Sequence, residues 1–322
     1  MKTALVCGIS GQDGVYLSRL LLEKGYRVHG TSRDPGRAAT NLARLGIADS
    51  VGIHAHAATD YDGLAALIDE IRPDEVYNLA GQSSVALSFE HPFETMDSIA
   101  TATLHLLEAV RRSGRPIRLF GAGSGECFGD TGDLAVTEET AFRPRSPYAV
   151  AKAAAFWHVA TYRQAFGVYA CTGLLFNHES PLRPERFVTR KIVAAAVRIA
   201  NGSSEKLRLG NTAVRRDWGW APEYVDAMWR MLQQATPADY VIATGETHGL
   251  DEFVERAFAE VGLDWRDHVE VDAALVRPAD VPVGRADPSR AERELGWRAT
   301  RRFADVVREM VRAEQLAAAP AR

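Results

Sequence analysis

A tyrosine and a lysine four residues apart carry the clearest chemical signal in this chain. Tyr148 and Lys152 follow Ser146-Pro147, a pair that favours the start of a helix, so both side chains lie on one helix face. An ammonium group beside a phenol lowers the phenol pKa from about 10 toward neutral pH. We therefore predict that Tyr148 accepts a proton from a carbinol during hydride transfer. An ordinary exposed helix pair is the alternative.

A second cluster of reactive side chains follows the strand predicted over residues 117–124. The segment Ala122-Gly123-Ser124-Gly125-Glu126 lies at the carboxyl end of that strand, where parallel sheets place their ligands. Glu126 is a candidate base there, and Ser124 is a candidate hydroxyl for holding a substrate. The residues alone equally allow a structural glutamate and a turn serine.

A glycine-rich turn follows the first predicted strand and precedes a helix. In Gly8-Ile9-Ser10-Gly11-Gln12-Asp13-Gly14 the glycines are spaced G-x-x-G-x-x-G. Glycine lets the backbone approach a pyrophosphate, and the helix N-terminus offers N–H donors and partial positive charge. We predict that Gly8, Ser10, Gly11 and Gly14 contact a dinucleotide; a turn without a ligand is the alternative.

The end of the second predicted strand bears on the choice between NADP and NAD. A carboxylate there usually holds the ribose 2′-hydroxyl of NAD, whereas a cation suits the 2′-phosphate of NADP. The strand ends Thr31-Ser32-Arg33, and Arg33, helped by Ser32 and Arg37, would pair with a 2′-phosphate. The rule favours NADP, and the neighbouring Asp34 leaves NAD as the alternative.

The hydrophobic pattern predicts an α/β fold of the Rossmann type, with a doubly wound parallel sheet. Strands are predicted over residues 3–9, 27–33, 51–57, 75–81, 117–124 and 169–177, and helices over residues 15–24, 63–71, 99–112, 147–165, 191–200 and 222–234. We predict a dinucleotide-binding domain over residues 1–175, with a return segment near 235–250. Residues 176–322 would mainly form a smaller, interleaved substrate-binding domain.

Composition excludes several classes of protein. The chain has 322 residues, 46% of them hydrophobic, and a formal net charge of −4 without a long basic run, so we expect no nucleic-acid partner. No apolar stretch reaches the ~20 residues of a membrane span, and no leader pattern opens the chain, so we expect a cytoplasmic protein. Three widely spaced cysteines predict neither disulfides nor a metal site.

Taken together, the motifs resemble the extended short-chain dehydrogenase/reductase superfamily and, within it, the GDP-mannose 4,6-dehydratases. The resemblance covers nearly the whole chain. It rests on the glycine-rich turn and on Tyr77-Asn78-Leu79-Ala80-Gly81-Gln82-Ser83-Ser84-Val85, Ser146-Pro147-Tyr148, Phe176-Asn177-His178-Glu179-Ser180-Pro181, Phe187-Val188-Thr189-Arg190-Lys191, Arg216-Asp217-Trp218-Gly219, Ala227-Met228-Trp229 and Ala243-Thr244-Gly245-Glu246.

The resemblance implies a dehydration without net oxidation. NADP would oxidise C4 of GDP-mannose, a carboxylate would remove the C5 proton, water would leave from C6, and the hydride would return to C6. Tyr148 would then be the base at O4 and Lys152 its partner, while Glu126 would abstract the C5 proton and Ser124 would hydrogen-bond O4. The product would be GDP-4-keto-6-deoxymannose.

The resemblance also implies two sets of binding residues. Gln12, Asp13, Leu79, Ala80, Gln82, His178 and Arg183 would line the cofactor, and Ser83, Asn177, Val188, Lys191, Arg216 and Arg277 would hold the nucleotide sugar. Arginine suits a diphosphate because its guanidinium can fork across two oxygens. The plainer alternatives are a core histidine at His178 and a surface arginine at Arg277.

The chain departs from the family pattern at several places. Gly123 and Gly125 replace serines, which predicts added backbone freedom beside the hexose. Ala57 replaces an acidic residue that would contact adenine. The segment 34–41 is expected to be a loop shorter than the family's tetramer-forming loop, so a homodimer is predicted, with a tetramer as the alternative. Competing functions are a 4-ketoreductase or epimerase, and a non-catalytic protein that binds NADP and a nucleotide sugar.

Overall fold

The computed structural model describes residues 1–276 and 278–318. Its strands are β1 Thr3–Cys7, β2 Arg27–Ser32, β3 Val51–Ala55, β4 Glu75–Asn78, β5 Arg118–Ala122, β6 Ala170–Leu175, β7 Asn177–Glu179, β8 Leu207–Leu209, β9 Arg215–Arg216, β10 Trp218–Trp220, β11 Tyr240–Ile242, β12 His248–Gly249 and β13 Val269–Val271. Its helices are α1 Gln12–Glu23, α2 Pro35–Ala43, α3 Tyr61–Ile71, α4 Val85–Glu90, α5 Pro92–Met96, α6 Ala102–Arg112, α7 Pro147–Phe166, α8 Val188–Ala200, α9 Ala221–Met231, α10 Leu250–Ala259, α11 Ser289–Leu295 and α12 Phe303–Ala318.

Seven parallel strands form the central sheet, in the order β11-β6-β5-β4-β1-β2-β3. Because β1 lies between β4 and β2, the connections on its two sides lead to opposite halves of the sheet. This leaves a crevice at the carboxyl end of β1. The predicted fold class, a doubly wound Rossmann-type sheet, is confirmed. The segment near residues 235–250, predicted to return to this domain, contains β11, which extends the sheet beside β6.

Side chains of successive β1 residues pack on opposite faces of the sheet. Ala4 and Val6 belong to a core that includes α1, α2 and α9, whereas Leu5 and Cys7 belong to one that includes α3, α6 and α7. This alternation follows from the two-residue period of a strand, and burial on both faces explains why β1 is apolar throughout. The sheet is therefore covered by helices on both sides.

A separate core lies in the C-terminal part of the chain. It is built from α8, α10 and α12 around the small parallel pair of β8 and β13, and Phe253, Val307 and Trp218 are buried in it. The loosely patterned C-terminal region of the sequence thus contains two long helices, α10 and α12, that the periodicity did not single out. Among the described residues, no helix is long and apolar enough to cross a membrane.

Two predicted elements are corrected by the structure. Residues 34–41, expected to be a loop, contain most of α2, because Asp34 caps the helix by accepting a bond from the Arg37 N–H at 3.0 Å and Pro35 occupies its first turn. The strand predicted over residues 169–177 ends at Leu175. Phe176 donates its N–H to Ile242 and the chain then leaves the sheet, so that β7 pairs with β10 instead.

Candidate active site

The three glycines of the β1–α1 turn are needed for different structural reasons. Gly8 has φ of +84°, and a Cβ there would lie 2.8 Å from the Ala80 nitrogen. A Cβ at Gly14 would lie 2.6 Å from the Gly8 oxygen, whereas at Gly11 its nearest neighbour would be 3.4 Å away. Gly8 and Gly14 are thus required by packing. Gly11 keeps the approach to the α1 N-terminus open, where it provides no side-chain cap.

A buried histidine–aspartate pair ties α1 to β7. His178 Nε2 lies 3.0 Å from Asp13 Oδ2, and its Nδ1 donates to the Phe176 carbonyl at 2.7 Å. Burial alone would lower the pKa of His178, but Asp13 raises it above its ordinary value; burial alone would raise the pKa of Asp13, but His178 lowers it. The pair therefore favours an imidazolium beside a carboxylate.

Gln12 reinforces the same link. Its amide nitrogen donates to the His178 carbonyl at 3.1 Å, and its oxygen accepts a bond of 2.7 Å from the Ser180 hydroxyl. Both polar ends of this buried side chain are therefore used within the protein. Gln12 thus links the turn to β7 and to the residue that follows it. Ser180 was not predicted as a site residue, although it belongs to the motif that includes His178.

The four predicted catalytic residues come together at the carboxyl ends of β5 and β6. Ser146 caps α7 through the Ala149 N–H, which starts the helix that carries Tyr148 and Lys152. The Lys152 ammonium donates to the Ala122 carbonyl at 2.7 Å. The Ser124 side chain lowers the pKa of the Tyr148 phenol and the Glu126 carboxylate raises it, so both groups are close enough to act on the phenol.

Protonation in this cluster differs from the sequence-based expectation. Burial raises the pKa of Tyr148 above its ordinary value, and Ser124 offsets only part of the rise. The Lys152 ammonium, which we predict to lower the pKa of Tyr148, bonds the Ala122 carbonyl and lies 5.9 Å from the centre of the phenol ring. Burial lowers the pKa of Lys152 itself to about 8.

The two glycines around Ser124 are closely packed, so the predicted backbone freedom is not found. A Cβ at Gly123 would lie 2.7 Å from Thr172 Cγ2, and one at Gly125 would lie 2.9 Å from the Phe176 ring. The loop turns from Ser124 into a short 3₁₀ helix over Gly125–Phe128, and the Ser124 hydroxyl accepts the Glu126 N–H at 3.2 Å. Neighbouring side chains thus occupy the space that serines would fill.

Arg216 brings a cation to the candidate base. It is buried, and its Nε lies 3.9 Å from Glu126 Oε1 while its Nη2 lies 3.6 Å from Asp280. The same guanidinium donates to the Val281 carbonyl at 2.7 Å. This residue, predicted to bind the nucleotide sugar, therefore lies at the same cleft as Glu126.

The remaining predicted site residues belong to several different elements of the fold. Leu79 and Ala80 pack over Gly8, the Gln82 amide donates to the Ser84 carbonyl, and the exposed Ser83 precedes α4. Asn177 begins β7, Val188 begins α8, and the Lys191 ammonium donates to the Arg208 carbonyl. The Arg183 Nε lies 3.3 Å from Glu179, and the Arg33 guanidinium lies 3.5 Å from Glu94. Arg277 lies outside the described residues. Sequence reasoning missed Asn41, whose amide donates to the Ser10 carbonyl at 2.8 Å.

Solved structures share this architecture. A UDP-glucose 4-epimerase of Thermus thermophilus, solved with NAD, has a TM-score of 0.86 at 24% identity and covers 97% of this chain and 98% of its own. The protein RMD of Pseudomonas aeruginosa, solved with NADPH, has a TM-score of 0.82 at 23% identity and covers 98% and 100%. At these identities the likeness establishes the fold.

Sequence relatives establish the family. A family model described as GDP-mannose 4,6 dehydratase matches residues 5–310. GDP-mannose 4,6 dehydratase 1 of Arabidopsis thaliana is 49% identical over 321 residues, which cover 96% of this chain and 89% of the relative. As the motifs around the glycine-rich turn, Tyr148 and His178 predict, the chain belongs to the GDP-mannose 4,6-dehydratase family.

Proposed function

We propose that this protein is a hydro-lyase that converts GDP-mannose to GDP-4-keto-6-deoxymannose. The observation that carries the proposal is the convergence of Ser124, Glu126, Tyr148 and Lys152 on one cleft, with Arg216 beside the carboxylate. Proton removal from carbon needs a base such as a carboxylate, and exchange of a proton with a hydroxyl needs a group such as a phenol, both near the same sugar. This chain has both.

A nicotinamide dinucleotide fits the crevice at the β1–α1 turn. The open approach at Gly11, the N-terminus of α1 without a side-chain cap, and the close packing of Gly8 and Gly14 are the features that a pyrophosphate requires. The turn and Lys152 would hold the group, which supplies hydride acceptance and return. NADP rather than NAD remains our proposal, based on the arginines that follow β2.

The chain's own residues divide the proton transfers. Tyr148 exchanges the proton of the sugar O4 hydroxyl, with Ser124 orienting that oxygen and Lys152 holding positive charge behind it. Glu126 removes the C5 proton, and the C6 hydroxyl leaves as water with that proton. The proton taken from O4 balances the one that C5 regains when C6 receives the hydride. We also propose that residues 1–175, with the segment near 235–250, serve the cofactor. Residues 176–322 would mainly hold the nucleotide sugar through Asn177, Val188, Lys191 and Arg216.

Replacing Glu126 by Gln tests the role that separates a dehydratase from a reductase on the same scaffold. We expect Glu126→Gln to lower the rate of water loss by about a hundredfold or more, because a positioned base contributes about 10²–10⁴-fold, while GDP-mannose still binds. Glu139→Gln, which alters an exposed carboxylate, is the matched control. Unchanged turnover in Glu126→Gln would remove Glu126 from the mechanism.

We further propose a homodimer formed through α5 and α7. Phe93 is 85% exposed and Trp157 is 61% exposed, and Val150 lies seven residues before Trp157 on the same face of α7. Large apolar side chains grouped on one surface are typical of an interaction site. A tetramer would need a further surface in addition to this one.

A further inference from the structure

Three consecutive residues at the end of β7 contact elements on two sides of the cleft. His178 pairs with Asp13 of the glycine-rich turn, and Ser180 donates to Gln12 of the same turn. Glu179 lies between them in sequence, and because successive side chains of a strand point to opposite sides, its carboxylate points away from that turn. It is 1% exposed. A carboxylate buried to this extent needs partners within the protein.

One oxygen of this carboxylate has two partners. Glu179 Oε2 accepts a bond of 2.6 Å from the Thr189 hydroxyl and lies 3.3 Å from Arg183 Nε. The short first contact is typical of a charge-assisted bond. Among the described residues Arg183 Nε has no hydrogen-bond acceptor, so the second contact is ionic. Glu179 therefore joins Arg183 to Thr189 through a single atom.

The bond to Thr189 brings a negative charge to the N-terminus of α8. Phe187, the residue before the helix, provides no side-chain cap, and the first turn of α8 contains Lys191 but no acidic residue. Negative charge is favourable at a helix N-terminus and positive charge is unfavourable there. Glu179 supplies from β7 the charge that α8 itself lacks. It therefore fixes the end of the helix that carries Val188 and Lys191, which we propose to hold the nucleotide sugar.

Arg183 is held close to the same helix end. Its guanidinium carbon lies 3.9 Å from the centre of the Phe187 ring, a cation–π contact with the residue that precedes α8. Burial alone would raise the pKa of Asp13, but the charges of His178 and Arg183 help to lower it, so Arg183 also lies near the glycine-rich turn. This agrees with the cofactor side of the cleft, where the motifs predict Arg183.

We propose that Glu179 is a positioning residue of the dehydration, which fixes the separation between Arg183 on the cofactor side and the start of α8 on the sugar side. The inference rests on the proposed function and deepens it by naming a residue that sets the hexose against the dinucleotide. Hydride transfer depends steeply on geometry, and a misplacement of about 1 Å can cost about a hundredfold in rate. Loss of either link should therefore slow the chemistry more than it weakens binding.

Single-turnover kinetics on the full chain test this role. With protein and NADP in excess over GDP-mannose, rapid quenching and mass spectrometry give the rate constant of water loss. We expect Glu179→Gln, which removes the ionic link, and Thr189→Val, which removes the hydroxyl link, each to lower it by about tenfold or more. The dissociation constants of NADP and of GDP-mannose, each measured by calorimetry without the other, should change by less than about threefold. Thr189→Ser keeps the hydroxyl and should stay within about twofold of the native rate constant.

Glu185→Gln is the matched control, because Glu185 lies in the turn over residues 181–187 and its carboxylate, 56% exposed, pairs with Arg198. It should leave the rate constant within about twofold of the native value. A purely structural role for Glu179 would lower the calorimetric stoichiometry and the unfolding temperature but leave the single-turnover rate constant unchanged, and that result would overturn the proposal. Weaker binding without slower turnover would overturn it too. A native chain that binds both ligands but releases no water would instead contradict the proposed function, and the role of Glu179 with it.

Discussion

At the scale of single residues, Lys152 is held in an unfavourable setting. Lys152 is 9% exposed, and its only hydrogen-bond acceptor among the described residues is the Ala122 carbonyl. Burial lowers its pKa to about 8 from an ordinary value of 10.5. The unfolded chain therefore binds more protons than the folded one between these two values, so this lysine destabilises the fold at neutral pH and less so as the pH rises.

We therefore predict how stability changes with pH in Lys152→Met. Relative to this variant, the native chain should gain on the order of 2 kcal/mol of unfolding free energy between about pH 7 and about pH 9.5. Urea denaturation of both proteins across that range measures the difference, and groups common to both cancel. A difference that stays constant with pH would mean that the folded protein does not perturb Lys152.

At the scale of elements, the glycines of the β1–α1 turn have two different purposes. Two of them are required by packing, and the third leaves room for a ligand. The sequence pattern predicted the turn and its ligand class, but it treated the three glycines alike. The structure distinguishes them because only Gly8 and Gly14 meet backbone atoms within 3 Å of an added Cβ. Gly11 has an ordinary φ of −76° and room for a side chain.

This difference predicts opposite outcomes for two alanine variants. Gly14→Ala should lose about 1–3 kcal/mol or more of unfolding free energy, because the Gly8 oxygen and Ile9 must move. Gly11→Ala should lose less, about 0.5–1 kcal/mol, because alanine is a poorer N-cap than glycine, yet weaken NADP binding by about tenfold or more. Denaturation and calorimetry measure both quantities, and full NADP affinity in Gly11→Ala would contradict the phosphate-binding role.

Elements also show where local sequence patterns stop being informative. The alternation of apolar strands and amphipathic helices predicted the sheet because each signal lies within one segment. The break after Leu175 was missed because it depends on pairing of Phe176 with Ile242 and of β7 with β10, partners remote in sequence. For α2, the cap Asp34 and Pro35 were visible signals that the comparison with a family loop overrode.

At the scale of the whole molecule, the site depends on contacts between distant parts of the chain. Tyr148 and Lys152 could be predicted to share a helix face, and Glu126 to follow a strand end, because each lies in a short local motif. The approach of Arg216 to Glu126 could not, because no local pattern encodes the packing of one part of the chain on another. The pKa of Tyr148 was misjudged for the same reason, since burial is a property of the folded whole.

The exposed apolar face of α5 and α7 predicts the assembly. The native chain should be a dimer in light scattering after gel filtration, and Trp157→Glu should shift it to a monomer, because a buried unpaired charge at an interface is costly. Leu134→Glu, at a side chain that is 73% exposed outside α5 and α7, should leave the dimer intact. A native monomer would contradict this assignment of the surface.

The central claim is a dehydration with an internal redox cycle at Ser124, Glu126, Tyr148 and Lys152. The most direct measurement follows GDP-mannose deuterated at C4, with NADP in catalytic amount, by mass spectrometry and cofactor absorbance together. We predict a product lighter by one water, deuterium at C6 of that product, and no accumulation of NADPH. Deuterium recovered in an accumulating reduced cofactor, or binding of GDP-mannose without any change in its mass, would contradict the account.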